Sequence, residues 1–93
     1  MLCVWGKIWQ KNRIKESYVA EDAHTERPLA SRIEVCVDDI IQKLDLPRPI
    51  WLPKNQEEMQ TYGCTTFHQD HFIEPFPYEG FEIEIIKTDA DDT

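Results

Sequence analysis

The densest run of side chains able to do chemistry is Cys64-x-x-x-His68-x-Asp70-His71. Thiolate, imidazole and carboxylate are the groups zinc takes as ligands, and three or four of them on one tetrahedron would make a site. The spacing works against that. On a strand, His68 and Asp70 share a face while His71 points to the other, so a bend is needed to bring the histidines together. Cys64, His68, Asp70 and His71 are therefore expected as half-exposed side chains near a sheet edge, with no metal favoured. His24, in an acidic loop, could join them only through a long-range contact.

Nucleophilic chemistry has even less to work with. A reactive cysteine needs a nearby base or positive field to lower its pKa, and Cys64 with His68 is the one conceivable pair. Cys36 falls on an apolar helical stripe and Cys3 in a strand. No glycine-rich phosphate loop, nucleophile elbow or HExxH pattern is present. The expectation is a non-enzyme with no catalytic residue and no cofactor.

The elements that would position these residues follow from periodicity. Pro28 to Asp45 places Leu29, Ile33, Cys36, Val37, Ile40 and Leu44 on one stripe of a helix, with Glu34, Asp38, Gln42 and Asp45 opposite. Its start is set either by Thr25 as cap with Pro28 in the first turn or by Ser31 with Glu34 as a capping box. Pro47 stops it, because the residue before a proline is pushed out of helical geometry.

Upstream, Leu2, Val4, Gly6 and Ile8 alternate with Cys3, Trp5, Lys7 and Trp9, the period of a strand. A turn around Gln10, Lys11 and Asn12 leads to a second strand over Arg13 to Glu21. Downstream, Pro47 to Pro53 is stiffened by three prolines and reads as an extended strap carrying Ile50, Trp51 and Leu52 along an edge of the core. A short helix follows, capped by Asn55 with Glu58 and stopped at Gly63, with Met59 and Tyr62 facing inward. Thr65 to Ile73 leans towards strand. The last strand is clean, with Phe81, Ile83 and Ile85 on one face and Glu82 and Glu84 on the other.

The predicted fold class is α+β, an antiparallel sheet of about four strands in the order β-β-α-α-β-β. One long amphipathic helix packs on one face and a short second helix is added. Residues 1–88 form a single domain, and 89–93 an acidic frayed tail. The combination of Trp5-Gly6-Lys7-Ile8, Pro49-Ile50-Trp51-Leu52, Phe67, Gln69-Asp70, Phe72-Ile73-Glu74 and an acidic final strand resembles a group of short bacterial proteins of no assigned function. The likeness spans nearly the whole chain. It implies a bacterial cytosolic origin and carries over no catalytic residue.

Charge narrows the partners. The chain of 93 residues has a formal net charge of −8. Residues 1–17 hold Lys7, Lys11, Arg13 and Lys15 against Glu16, while residues 81–93 hold Glu82, Glu84, Asp89, Asp91 and Asp92 against Lys87. Such a surface repels phosphate backbones, so direct nucleic-acid binding is not expected, whereas a protein with a basic surface would be attracted. Three scattered cysteines fit a reducing cytoplasm. The opening MLCVWG, interrupted by Lys7, reads as structure rather than a leader or membrane anchor.

If Leu2, Val4 and Ile8 pack on the helix, Trp5 and Trp9 stand on the opposite face beside Lys7. Tryptophan is enriched at binding hot spots, so Trp5, Lys7 and Trp9, or the edge around Trp51, are the candidate partner-binding residues. The weightier expectation is that the strap or the short helix folds over Trp5 and Trp9 as a second small core, because a small chain rarely leaves so much aromatic area in water. The functional expectation is a non-enzymatic protein-interaction module, open to homo-oligomerisation. The alternatives are an acidic nucleic-acid-mimicking inhibitor of a DNA- or RNA-processing protein, and a metal-binding protein using His68, Asp70 and His71.

Overall fold

The computed structural model describes residues 1–88; the acidic tail, 89–93, lies outside the described residues. The protein is α+β, with a four-stranded antiparallel sheet and two α-helices. Strands β1 (Leu2–Gln10) and β2 (Arg13–Asp22) form a hairpin, and after helices α1 (Leu29–Leu44) and α2 (Pro53–Tyr62) come β3 (Cys64–Phe67) and β4 (Gly80–Lys87). Their order across the sheet is β2-β1-β4-β3.

The hairpin closes through Lys11 and Asn12, both left-handed with φ of 54° and 60°. Two consecutive positive φ values make the two-residue turn whose twist matches that of the strands it joins. A bulge between Ile8 and Trp9 then shifts the β1–β2 register by one residue.

The helix-facing side of the sheet is built from rows of paired residues. Leu2, Val4 and Ile8 of β1, Phe81 and Ile83 of β4 and Phe67 of β3 are each fully buried. Helix α1 lies on them so closely that a Cβ on Gly6 would sit 2.4 Å from Cγ2 of Ile40. Glycine at position 6 is therefore what lets the helix approach the sheet. Cys36, Val37, Ile40 and Ile41 of α1 are buried in this layer.

Three features of α1 differ from the periodicity reading. Leu29 is 52% exposed, and Ile33 and Leu44 sit at the margin of the core. Arg32 is buried instead, because its Nε donates to Oδ1 of Asp22 (2.9 Å) and its Nη2 to the Asp22 carbonyl (2.8 Å). The helix also starts without a side-chain cap, at Pro28. Thr25 is drawn into a preceding turn in which its N–H donates to Ala23 and that of Arg27 to His24. The far end is closed by Asp45 in the left-handed region, with Leu46 N–H donating to Ile41 C=O (3.0 Å).

Helix α2 begins two residues before Asn55, with Pro53 in its first turn. Asn55 is not the cap but a buried bracket. Its Oδ1 accepts from Leu52 N–H (3.0 Å) and its Nδ2 donates to Oγ1 of Thr65 (2.9 Å), tying α2 to β3. Gly63 supplies the left-handed stop at φ 70°. Met59 is buried, but Tyr62 is 75% exposed.

The strap crosses the end of the core: Pro49 bridges to Phe72, and Ile50 N–H donates to His71 C=O (2.6 Å). The third strand is shorter than Thr65 to Ile73. It ends at Phe67, after which Gln69–His71 form a single 3-10 turn. Among the described residues no helix is long and apolar enough to cross a membrane.

Candidate functional site

Both helices and the strap lie on the same side of the sheet. Gly6 pairs with Ile83, which pairs with Thr65; α1 touches this row at Gly6 and α2 at Thr65. Trp51 joins the same side, meeting Phe67 edge-on at 5.0 Å. The expected second core over Trp5 and Trp9 is therefore not built by the strap or the short helix. Polar anchoring of Asn55 to Thr65 and aromatic packing of Trp51 on Phe67 draw both elements to the first core.

The opposite face is laid out in cross-strand rows. Val19, Trp5, Glu84 and Cys64 form one, and Ser17, Lys7, Glu82 and Thr66 the next. Ile14, Trp9 and Gly80 form a third. Among the described residues no helix packs on these rows, yet Trp5 and Trp9 are only half-exposed and Lys7 is 5% exposed.

The side chains shield one another. Lys7 Nζ lies 4.0 Å from the centre of the Trp5 ring, donates to Oε1 of Glu84 (2.8 Å) and stands 3.5 Å from Oε2 of Glu82. Glu82 in turn accepts from Nε1 of Trp9 (2.8 Å). A cation over an aromatic face and a carboxylate on the indole N–H hold both rings in fixed orientations on the surface. Two carboxylates share one lysine, so this patch is acidic.

Beside Trp9 the missing side chain of Gly80 leaves a shallow groove of about 480 Å³, lined by Trp9, Asn12, Thr66, His68, Glu79 and Gly80. Across the molecule a second groove of about 390 Å³ runs between α1 and α2, past Ile33, Trp51 and Met59.

The turn after β3 brings the His68 and His71 rings to 6.1 Å between centres but commits their nitrogens to other partners. His71 faces inward, its ring edge-on to Phe67 at 5.8 Å and its Nδ1 accepting from the His68 N–H (3.0 Å). Asp70 points to solvent with Oδ1 3.5 Å from that same nitrogen, and His68 Nδ1 lies 3.3 Å from the Glu79 carbonyl. His24 stands in its own loop beside Glu26. Among the described residues no three histidine, cysteine or acidic side chains gather where they could hold a metal ion.

The surroundings of Cys64 disfavour its thiolate. Desolvation, then the carboxylates of Glu82 and Glu84, push its thiol up from the ordinary value. His68 lies four residues along an extended segment, on the order of 13 Å away. Burial pushes Cys36 up to about 11, and a thiol so held stays protonated and inert.

No protein-family model, curated protein or solved structure matches this chain. What the face can do is therefore read from its own residues. Trp5, Lys7 and Trp9 are brought together, and Trp51 is separated from them by the thickness of the sheet. Glu82 and Glu84 are the members the residue types did not single out. Their signal lay in the alternation of the last strand, which sets both opposite Phe81, Ile83 and Ile85; only the pairing of β1 with β4 reveals that they meet Lys7 and Trp9.

Proposed function

We propose that this chain is a non-enzymatic interaction module whose working surface is the helix-free face of the sheet. The observation that carries the reading is the pair Trp5 and Trp9, half-exposed and clamped by Lys7, Glu82 and Glu84 where, among the described residues, no helix packs. Rigid aromatic side chains give up little conformational entropy on binding, and a preorganised rim of charge favours one partner over others. The local excess of carboxylate and the net charge of −8 suit a protein partner with a basic surface rather than nucleic acid or a bilayer.

Affinity capture from a host lysate tests this, using wild-type chain, a Trp5→Ala/Trp9→Ala variant and a Leu52→Ala control. Leu52 is 44% exposed and lies in the strap, on the other side of the sheet. The expected result is a partner recovered by wild type and by the Leu52 variant and lost with the double variant, with all three chains folded by circular dichroism. Equal recovery by all three removes the proposal.

A further inference from the structure

Strand β2 borders the sheet over ten residues, whereas the opposite border, β3, has four. A border strand presents main-chain N–H and C=O groups to any strand laid beside it. Which residues of β2 present them follows from two backbone bonds. Trp9 C=O accepts from Glu79 N–H (3.0 Å) and Gly63 C=O from Ile85 N–H (2.7 Å).

Together these turn the main-chain groups of Trp5, Lys7 and Trp9 towards β4, so those of Val4, Gly6 and Ile8 face β2. Their partners Ala20, Tyr18 and Glu16 face inward. Ser17, Val19 and Glu21 are left facing outward, beyond the bulge.

We propose that this edge takes a second copy of the chain, antiparallel about a two-fold axis at Val19. Outward-facing residues must meet outward-facing residues, which admits only registers whose paired numbers have an even sum. The register centred on Val19 engages all three. Ser17 meets Glu21 of the second copy, Val19 meets Val19, and the bulge stays clear of the pairing.

Charge favours a second copy as occupant. The hairpin end of the strand carries Lys11, Arg13 and Lys15 against Glu16, a net positive end, and the other end carries Glu21 and, just beyond, Glu26 against Arg27, a net negative one, all exposed. Antiparallel pairing lays each basic end beside the other copy's acidic end, twice, in a self-complementary contact. On the helix-free face, the row of Glu84, Trp5 and Val19 continues across the axis into its own reverse. The two valines, each 41% exposed, then shield one another. This pairing uses the edge of the sheet and stands independently of what binds the tryptophan face.

Sedimentation equilibrium on the whole chain tests it. A single strand pair buries little area, so the expected dissociation constant is on the order of 0.1 mM. Val19→Pro removes an N–H that the sheet itself does not use and is expected to weaken association at least about tenfold with the circular dichroism unchanged. Val19→Arg and Val19→Glu provide a second arm should proline disturb the strand. Each alone is expected to be monomeric, since like charges face each other at the axis, and a mixture of the two is expected to form the heterodimer. Wild type remaining monomeric at about 1 mM, or Val19→Arg associating as wild type does, overturns the proposal.

Discussion

The two faces of this sheet solve the same problem in different ways. On one, Gly6 lets Ile40 descend onto Phe81, and apolar side chains from both helices exclude water. On the other, Trp5, Lys7, Trp9, Glu82 and Glu84 reach partial burial through contacts with one another, using a cation, two carboxylates and two indoles in place of an overlying helix. The first arrangement stabilises the fold by removing area from water. The second leaves aromatic area accessible and fixes its geometry, which is what a surface for recognition requires.

The comparison can be broken most forcefully from the core side. Phe81 is fully buried, so Phe81→Ala is expected to cost about 3–5 kcal/mol in urea denaturation. A loss below about 1 kcal/mol would mean that the helix side is not packed as described.

Arg32→Ala follows, at about 3 kcal/mol, because it strands the Asp22 carboxylate inside the protein. Burial by itself would raise the Asp22 carboxyl, but the His24 N–H and the Arg32 guanidinium outweigh it and hold the group below its ordinary value of 3.8. A depressed folded-state pKa means that Asp22 contributes stability above its unfolded pKa and loses it as pH falls through the lower folded value. Wild-type stability should therefore drop as pH falls below about 4, and Asp22→Asn should flatten that part of the profile. An unchanged profile in Asp22→Asn would place the acid sensitivity elsewhere.

Gly6→Ala sharpens the picture at smaller cost. Its new Cβ meets the Ile40 side chain, which must give way, so a loss of about 1–3 kcal/mol is expected by thermal or urea denaturation. Indifference to the extra methyl would show that α1 stands further from β1.

Much of the helix-covered face was legible in the residue pattern because it depends on local periodicity. The alternation of Phe81, Ile83 and Ile85, the left-handed turn at Asn12 and the stop at Gly63 all follow from rules spanning a few residues. What was not legible depends on contacts distant in the chain. Nothing in the apolar stripe of α1 picks out Arg32 until Asp22 is placed beside it, and Asn55 reads as a cap until Thr65 supplies its second bond.

The same limit applies to the site. Trp5, Lys7 and Trp9 could be placed on one face by alternation, but whether the strap covered them depended on which side Asn55 and Trp51 would anchor. The strand expected through His68 and His71 fails for a related reason. His71 turns its ring to Phe67 and its Nδ1 to the His68 N–H, and strand geometry ends there.

The most direct measurement is the urea stability of Trp5→Ala/Trp9→Ala set beside that of Phe67→Ala. If the helix-free face is a surface, losing both tryptophans together costs less than about 3 kcal/mol, no more than the single core phenylalanine. A combined loss of about 6 kcal/mol or more, the sum expected for two core aromatics, would show that this face is a second core and contradict the account.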